Sequence, residues 1–385
     1  MAAPRLLAVL AACATLARAE PAPDGGSSPP VLAYLFTLRR ARHPLPQAWL
    51  QYFNGCAPGS YRIHIHVDPT FNATTMQESN PAARYFRQEH VLPRDQLSKV
   101  RRFGHELVRA RMRLVRHALS NDADAANPPR FVSFFSESCA PIASCAAVHT
   151  HLTAEARRPG GPRSFIDNKR PIEPEQTANS DAWKKAFAEV CPKCAGLASP
   201  IAPSDFRYSP GWVTLWHEHA AQLARDESVY DEAFATWGWN KLVNGIPDET
   251  YWSTLLYKNG APITGELMTY MEPGDAKTGH SKMFLEKDLP RVFSQPPPNF
   301  FARKFPTTPK MDKAIASYLQ GKGAGGGGTG GGGTGGGGTA GGKASGGGGK
   351  GGGKGGGKGG GKGGGGGGGG GGGVGEELRR RHSKQ

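Results

Sequence analysis

Residues 31–38, VLAYLFTL, form an unbroken apolar run rich in β-formers, the pattern of a central parallel strand buried on both faces. Residues 61–68, YRIHIHVD, alternate strictly, with Tyr61, Ile63, Ile65 and Val67 on one face and Arg62, His64, His66 and Asp68 on the other, which predicts a second strand. Between the two, residues 44–53 predict a helix turning Trp49, Leu50 and Phe53 toward a core. FVSFF at 131–135 predicts a third buried strand, ending at Ser136-Glu137-Ser138-Cys139, and Ser164-Phe165-Ile166-Asp167 predicts a short fourth. Residues 95–120 predict one long helix, with Leu97, Val100, Gly104, Leu107, Leu114 and Ala118 on its apolar stripe and its arginines solvated. Strands that alternate with helices imply an α/β fold with an open, mostly parallel sheet, whose ligands bind beyond the carboxyl ends of the strands. Asp68, Ser136 and Asp167 sit at such ends.

The rest of the chain bounds this domain. Residues 31–320 mix apolar and aromatic residues in globular proportion, and we read them as one domain. Residues 20–30, EPAPDGGSSPP, predict a linker. Ahead of them stand Arg5, an apolar stretch over residues 6–17 and Ala17-Arg18-Ala19, so residues 1–19 have the three-part pattern of a secretory signal peptide. The apolar stretch is short for a signal anchor, because a spanning helix needs roughly 20 apolar residues. Residues 321–373 are nearly all glycine, with GGGGT giving way to GGGK, and predict a disordered tail with no apolar surface to offset the entropy of ordering. Residues 374–385 add Arg379-Arg380-Arg381-His382, a basic end suited to weak contact with acidic surfaces.

Formal net charge is +15, yet from residue 322 onward ten Lys or Arg face only Glu376 and Glu377, so +8 sits there and +7 on the body. A mildly basic body suits a pocket for a diphosphate, and no nucleic-acid-binding signature accompanies the charge, so nucleic acid is excluded as the expected partner. Past the leader remain Cys56, Cys139, Cys145, Cys191 and Cys194, an odd set that predicts disulfides plus one free thiol, with the pairing left open. Asn72-Ala73-Thr74 is an N-glycosylation sequon.

Pro247-Asp248-Glu249 precedes Tyr251, Trp252, Leu255 and Leu256 at helical spacing, placing both acids in a helix's first turn. Acids there are stabilised as anions, and an ionised Glu249 could take the proton of an attacking hydroxyl; capping is the plainer role for such a pair. An ordered set of segments decides between the two. It runs Phe36-Thr37-Leu38 with Pro44-Leu45-Pro46, His64-Ile65-His66-Val67-Asp68, Arg130-Phe131-Val132 through Ser136-Glu137-Ser138-Cys139-Ala140-Pro141, Ser164-Phe165-Ile166-Asp167, Pro247-Asp248-Glu249 and Phe301-Ala302-Arg303-Lys304-Phe305. In this order the chain resembles the core-2/I-branching glycosyltransferases (glycosyltransferase family 14) in their plant-like branch.

The resemblance implies a GT-A-like catalytic domain and inverting, single-displacement transfer from a UDP-sugar (GlcNAc, xylose or glucuronic acid) to a hydroxyl of a glycan or glycoprotein. It implies Glu249 as catalytic base, and a diphosphate held by Lys304 with Arg303 as basic neighbour in place of a metal. No cofactor is expected. Asp68 and Ser136 would complete the donor side, with Asp68 on the uridine, and Asp248 and Trp212 the acceptor side. Location in the Golgi lumen or membrane follows from the same resemblance; secretion is the other outcome of a leader alone.

Asp122-Ala123-Asp124, the one Asp-x-Asp string, stands in a polar loop and reads as solvated. Pro210 interrupts Tyr208-Ser209-Pro210-Gly211-Trp212 where the family has Gly-Ser-x and an aromatic residue, His280 aligns loosely, and Arg291 is a candidate for a second diphosphate cation. Two other functions stand beside the transferase: a metal-dependent hydrolase using His64, His66 and Asp68, and a catalytically silent glycan-binding protein. Cys191-Pro192-Lys193-Cys194 lacks a partner pair for zinc and reads as disulfide cysteines.

Overall fold

The elements of the computed structural model run, in chain order, β1 (Leu32–Leu38), α1 (Pro46–Asn54), β2 (Tyr61–Val67), α2 (Glu106–Ser120), β3 (Phe131–Ser136), β4 (Ala140–Pro141), α3 (Cys145–Ala156), β5 (Thr214–Trp216), α4 (Pro247–Lys258), β6 (Thr269–Tyr270), α5 (Leu289–Phe293), β7 (Phe301–Ala302) and α6 (Pro309–Leu319). The structure describes residues 30–39, 43–70, 85–100, 104–120, 127–168, 205, 207–225, 247–274 and 281–321. The leader (1–19), the linker up to residue 29, Asn72, Asp122 with Asp124, Cys191, Cys194, His280 and all residues from 322 onward lie outside the described residues. The chain divides into two units, Met1–Gly327 and Gly328–Gln385, and every described residue belongs to the first.

The main sheet has the order β2-β1-β3-β5. β1 lies parallel to both β2 and β3, and β5 is antiparallel to β3. The apolar run of β1 has the consequence expected of it. Leu32, Tyr34, Phe36 and Leu38 enter one core, Ala33 and Leu35 the other, and only Thr37 of the strand is partly exposed. β3 divides likewise, with Phe131 and Phe135 on one side and Val132 and Phe134 on the other. The first core is aromatic: Tyr34, Trp49, Phe135 and Phe301 make ring contacts there, and the Tyr34 and Tyr52 hydroxyls satisfy each other at 2.6 Å. Each such ring contributes roughly 1.5–3 kcal/mol by its burial. α2 and α4 cover the second core. A three-stranded sheet, β4-β7-β6, stands beside the first core and carries residues 301–302 between its neighbours.

The first core is tied across the chain. Asp312 of α6 accepts hydrogen bonds from the Gln47 and Ala48 amides at 3.0 and 2.9 Å, satisfying donors at the start of α1 that the helix cannot satisfy itself. After α1 ends, Cys56 is bonded to Cys145 at the start of α3. This settles one pair of the odd set; Cys139 is free and buried.

Three expectations are corrected. The helix expected over 95–120 begins only at Glu106, because the preceding chain is pinned to the edge of β2: Val91 bridges Ile65, the Leu92 amide donates to the Ile65 carbonyl, and the Ser98 amide donates to His66 Nε2. Long-range hydrogen bonds override the helical period there. Ser164-Phe165-Ile166-Asp167 forms no strand; Ser164 and Phe165 make single bridges to Ile263 and Thr214, and the fourth strand of the sheet is β5. The arginine face of α2 is not uniformly solvated, since Arg111 is fully buried. Among the described residues no helix is long and apolar enough to cross a membrane.

Candidate active site

The first turn of α4 is held by the segment that precedes β5. The Ser209 amide donates to the Glu249 carbonyl at 2.8 Å, the Arg207 amide donates to Thr254 Oγ1 at 3.2 Å, and Ser253 Oγ donates to the Arg207 carbonyl at 2.9 Å. Residues 207–212 therefore run along the helix. Gly211 is required where the two come closest: a Cβ there would lie 2.5 Å from Arg111 Nη1 and 2.7 Å from Asp248 Oδ2, and real Cβ atoms do not approach so near.

Into this junction α2 sends Arg111, whose Nη1 pairs with Asp248 Oδ2 at 3.1 Å. The same guanidinium lies 4.7 Å from the ring centre of Trp212 and 5.3 Å from that of Phe134. Arg303 lies over Trp212 as well, at 4.0 Å. Backbone bonds fix the Arg303 segment on both sides: the Arg303 amide donates to the Tyr270 carbonyl, the Phe305 amide to the Ser138 carbonyl, and the Phe284 amide to the Lys304 carbonyl, at 2.8 to 3.0 Å. Trp212 is thus gripped by cations from two distant parts of the chain, an arrangement favourable for an indole face.

Glu249 feels this surrounding directly. Burial, with the neighbouring Asp248 charge, raises its carboxyl from the ordinary 4.5 to about 7, against the opposing pull of a Tyr208 hydrogen bond and of Arg303 and Arg111. The helix N-terminus was expected to keep this acid ionised; burial and the Asp248 charge instead raise its carboxyl. Near Arg303 lies Cys139, its thiol pushed up by burial and pulled back by Arg303 and Arg111. Ser136 Oγ sits 3.4 Å from that sulfur and 3.2 Å from Ser138 Oγ, which ties the end of β3 to the same cluster.

The structure thus gathers Glu249, Asp248, Trp212, Arg303 and Ser136 of the residues singled out in the sequence. It adds Arg111 and Tyr208, which sequence reasoning gave no role. A signal for Arg111 was present: it fills the gap between Leu107 and Leu114 on the apolar stripe, where an exposed arginine does not belong. Lys304 follows Arg303 in the same fixed segment. Asp68 lies at the end of β2, the same end of the parallel sheet at which Ser136 closes β3, and its carboxylate accepts from the Thr70 amide and hydroxyl at 3.0 and 2.7 Å. Those two bonds, the largest influences on it, hold its carboxyl below the usual range. Arg291 is ion-paired with Glu272 and Asp288, so its charge is already engaged.

His64, His66 and Asp68 do not gather as metal ligands. His66 Nε2 accepts from the Ser98 amide, and burial lowers that imidazole to about 4. Among the described residues the one group of potential ligands within 4.8 Å of one another is Cys56, Cys145 and His149, whose two sulfurs are bonded to each other.

A search of curated proteins returned no match. A family model described as Core-2/I-Branching enzyme matches residues 32–289, a stretch that carries β1 through Glu249 and stops short of the 301–305 segment. The chain belongs to the Core-2/I-Branching enzyme family, glycosyltransferases that move a sugar from a nucleotide donor to a glycan acceptor.

Proposed function

We propose that this enzyme transfers the sugar of a UDP-sugar to a hydroxyl of a glycan or glycoprotein acceptor by a single inverting displacement, with Glu249 as general base. The observation that carries this reading is the environment of Glu249: a largely buried carboxyl brought to about 7, in electrostatic reach of Arg303 and hydrogen-bonded by Tyr208. A general base is most effective when its pKa lies near the working pH. A carboxylate at 4.5 would be ionised but weakly basic; at about 7 it is both available and basic.

The departing UDP develops negative charge that fixed cations can stabilise as a metal ion would. Arg303 and Lys304 take that role, without a metal requirement. Asp68 and Ser136, at the carboxyl end of the sheet, complete the donor side, and the acceptor approaches Glu249 along Trp212 and Asp248. Residence in the Golgi, in its lumen or at its membrane, is the matching location.

The test is a panel of UDP-GlcNAc, UDP-xylose and UDP-glucuronic acid, scored for protection against thermal unfolding and for UDP release with hydroxyl acceptors, with and without EDTA. One donor should protect and turn over equally well in EDTA. Lys304→Ala should weaken that donor at least about tenfold, the loss of one charge-assisted contact. Abolition by EDTA, or Lys304→Ala binding donor as wild type does, contradicts the reading.

A further inference from the structure

Arg111 is the one arginine of α2 with no exposure to solvent. Only its Nη1 finds a hydrogen-bond acceptor, Asp248, and its Nε and Nη2 have none among the described residues. A buried pair so incompletely satisfied is a poor device for stability, because its desolvation cost commonly exceeds its Coulombic gain and an apolar pair of similar volume does as well or better. What the pair does supply is a fixed connection between α2, Trp212 and the helix turn that bears Glu249.

Resting on the assignment of Glu249 as base, we infer that Arg111 is a positioning residue of the transfer reaction, its guanidinium locking Asp248 and Trp212 so that the first turn of α4 presents Glu249 to the acceptor. Its charge has a second effect. The groups facing Glu249 are Asp248 on its own helix, Tyr208 from the segment along it, Arg303 beyond β7 and Arg111 from α2. Those facing Arg111 are Asp248, Glu249, Arg303 and Cys139. Without Arg111, Glu249 loses one of two cations that favour its ionised form while the Asp248 charge remains, so its proton is held more tightly.

The experiment measures the pH dependence of kcat/KM, with the UDP-sugar of the panel that turns over, for wild type, Arg111→Met, Arg111→Lys, Arg111→Met/Asp248→Asn and Glu249→Gln. In Arg111→Met the acidic limb should move up by at least about half a pH unit, the scale of losing one nearby charge. Its kcat should fall about tenfold or more, with donor KM within about threefold, as for an interaction that serves the transition state. Arg111→Lys should return the limb toward wild type, because the charge is restored while the fork is not. If Arg111→Met does not fold, the double variant, which leaves no lone buried charge, carries the test beside Asp248→Asn alone: a kcat below that of Asp248→Asn supports the inference, and a kcat equal to it or to wild type overturns it. A drop in thermal stability with unchanged limb and kcat also overturns it. An inactive Glu249→Gln beside a wild-type-like Arg111→Met defeats this inference alone, whereas an active Glu249→Gln, or no turnover of any donor, defeats the base assignment and this inference with it.

Discussion

Replacing Glu249 by Gln should make the protein more stable above neutral pH while leaving it unchanged in acid. The carboxyl moves from 4.5 to about 7 on folding, so between these values the folded state binds more protons than the unfolded chain, and stability falls as pH rises through that window. At about 1.4 kcal/mol per tenfold change in proton affinity, the full cost above neutrality is about 3 kcal/mol. Glutamine keeps the shape and an acceptor for Tyr208 but cannot ionise, so it escapes that cost. For a domain of this size about 3 kcal/mol corresponds to an unfolding midpoint higher by about 6 °C. Thermal unfolding of both proteins from pH 4 to pH 8 should show midpoints that coincide in acid and separate progressively toward neutrality. A difference that is constant across this range, or that favours wild type at pH 8, would show that Glu249 is not the group held neutral by burial.

Other perturbations test the framework of the site. Gly211→Ala places a methyl 2.5 Å from Arg111 Nη1; overpacking of this kind costs about 1–3 kcal/mol, and a normal denaturation midpoint would refute the close approach. Removing the Cys56–Cys145 bridge, which spans 89 residues of sequence, should lower stability by about 4–5 kcal/mol on chain-entropy grounds, read as a fall in the denaturant midpoint; equal midpoints would contradict the pairing. Asp312→Ala strips two acceptors from the start of α1 and should cost about 1–2 kcal/mol, against which a change below about 0.5 kcal/mol by the same measurement would count.

The centre of the fold was legible because β1 and β3 have no polar face to misread, and β2 alternates without exception. Glu249, Arg303 and Trp212, far apart in sequence, were assembled by an ordered resemblance, and their convergence depends on backbone bonds at residues 209, 270 and 305 that no local pattern announces. The start of α2 was misplaced since helical spacing at Leu97 and Val100 continues through chain that is instead held to an edge strand. Arg111 was missed for a related reason: periodicity treats an arginine as outward, and only its partner on α4 makes burial tolerable. The protonation of Glu249 was misjudged because a sequence displays the helix end but not the water that folding removes.

The most direct measurement is sugar transfer by Glu249→Gln under single-turnover conditions, with donor binding verified on the same preparation. Donor affinity within about threefold of wild type and transfer slowed by at least about a hundredfold, the range for loss of a general base, is the predicted result. Transfer at the wild-type rate with donor bound would contradict the assignment of residue 249.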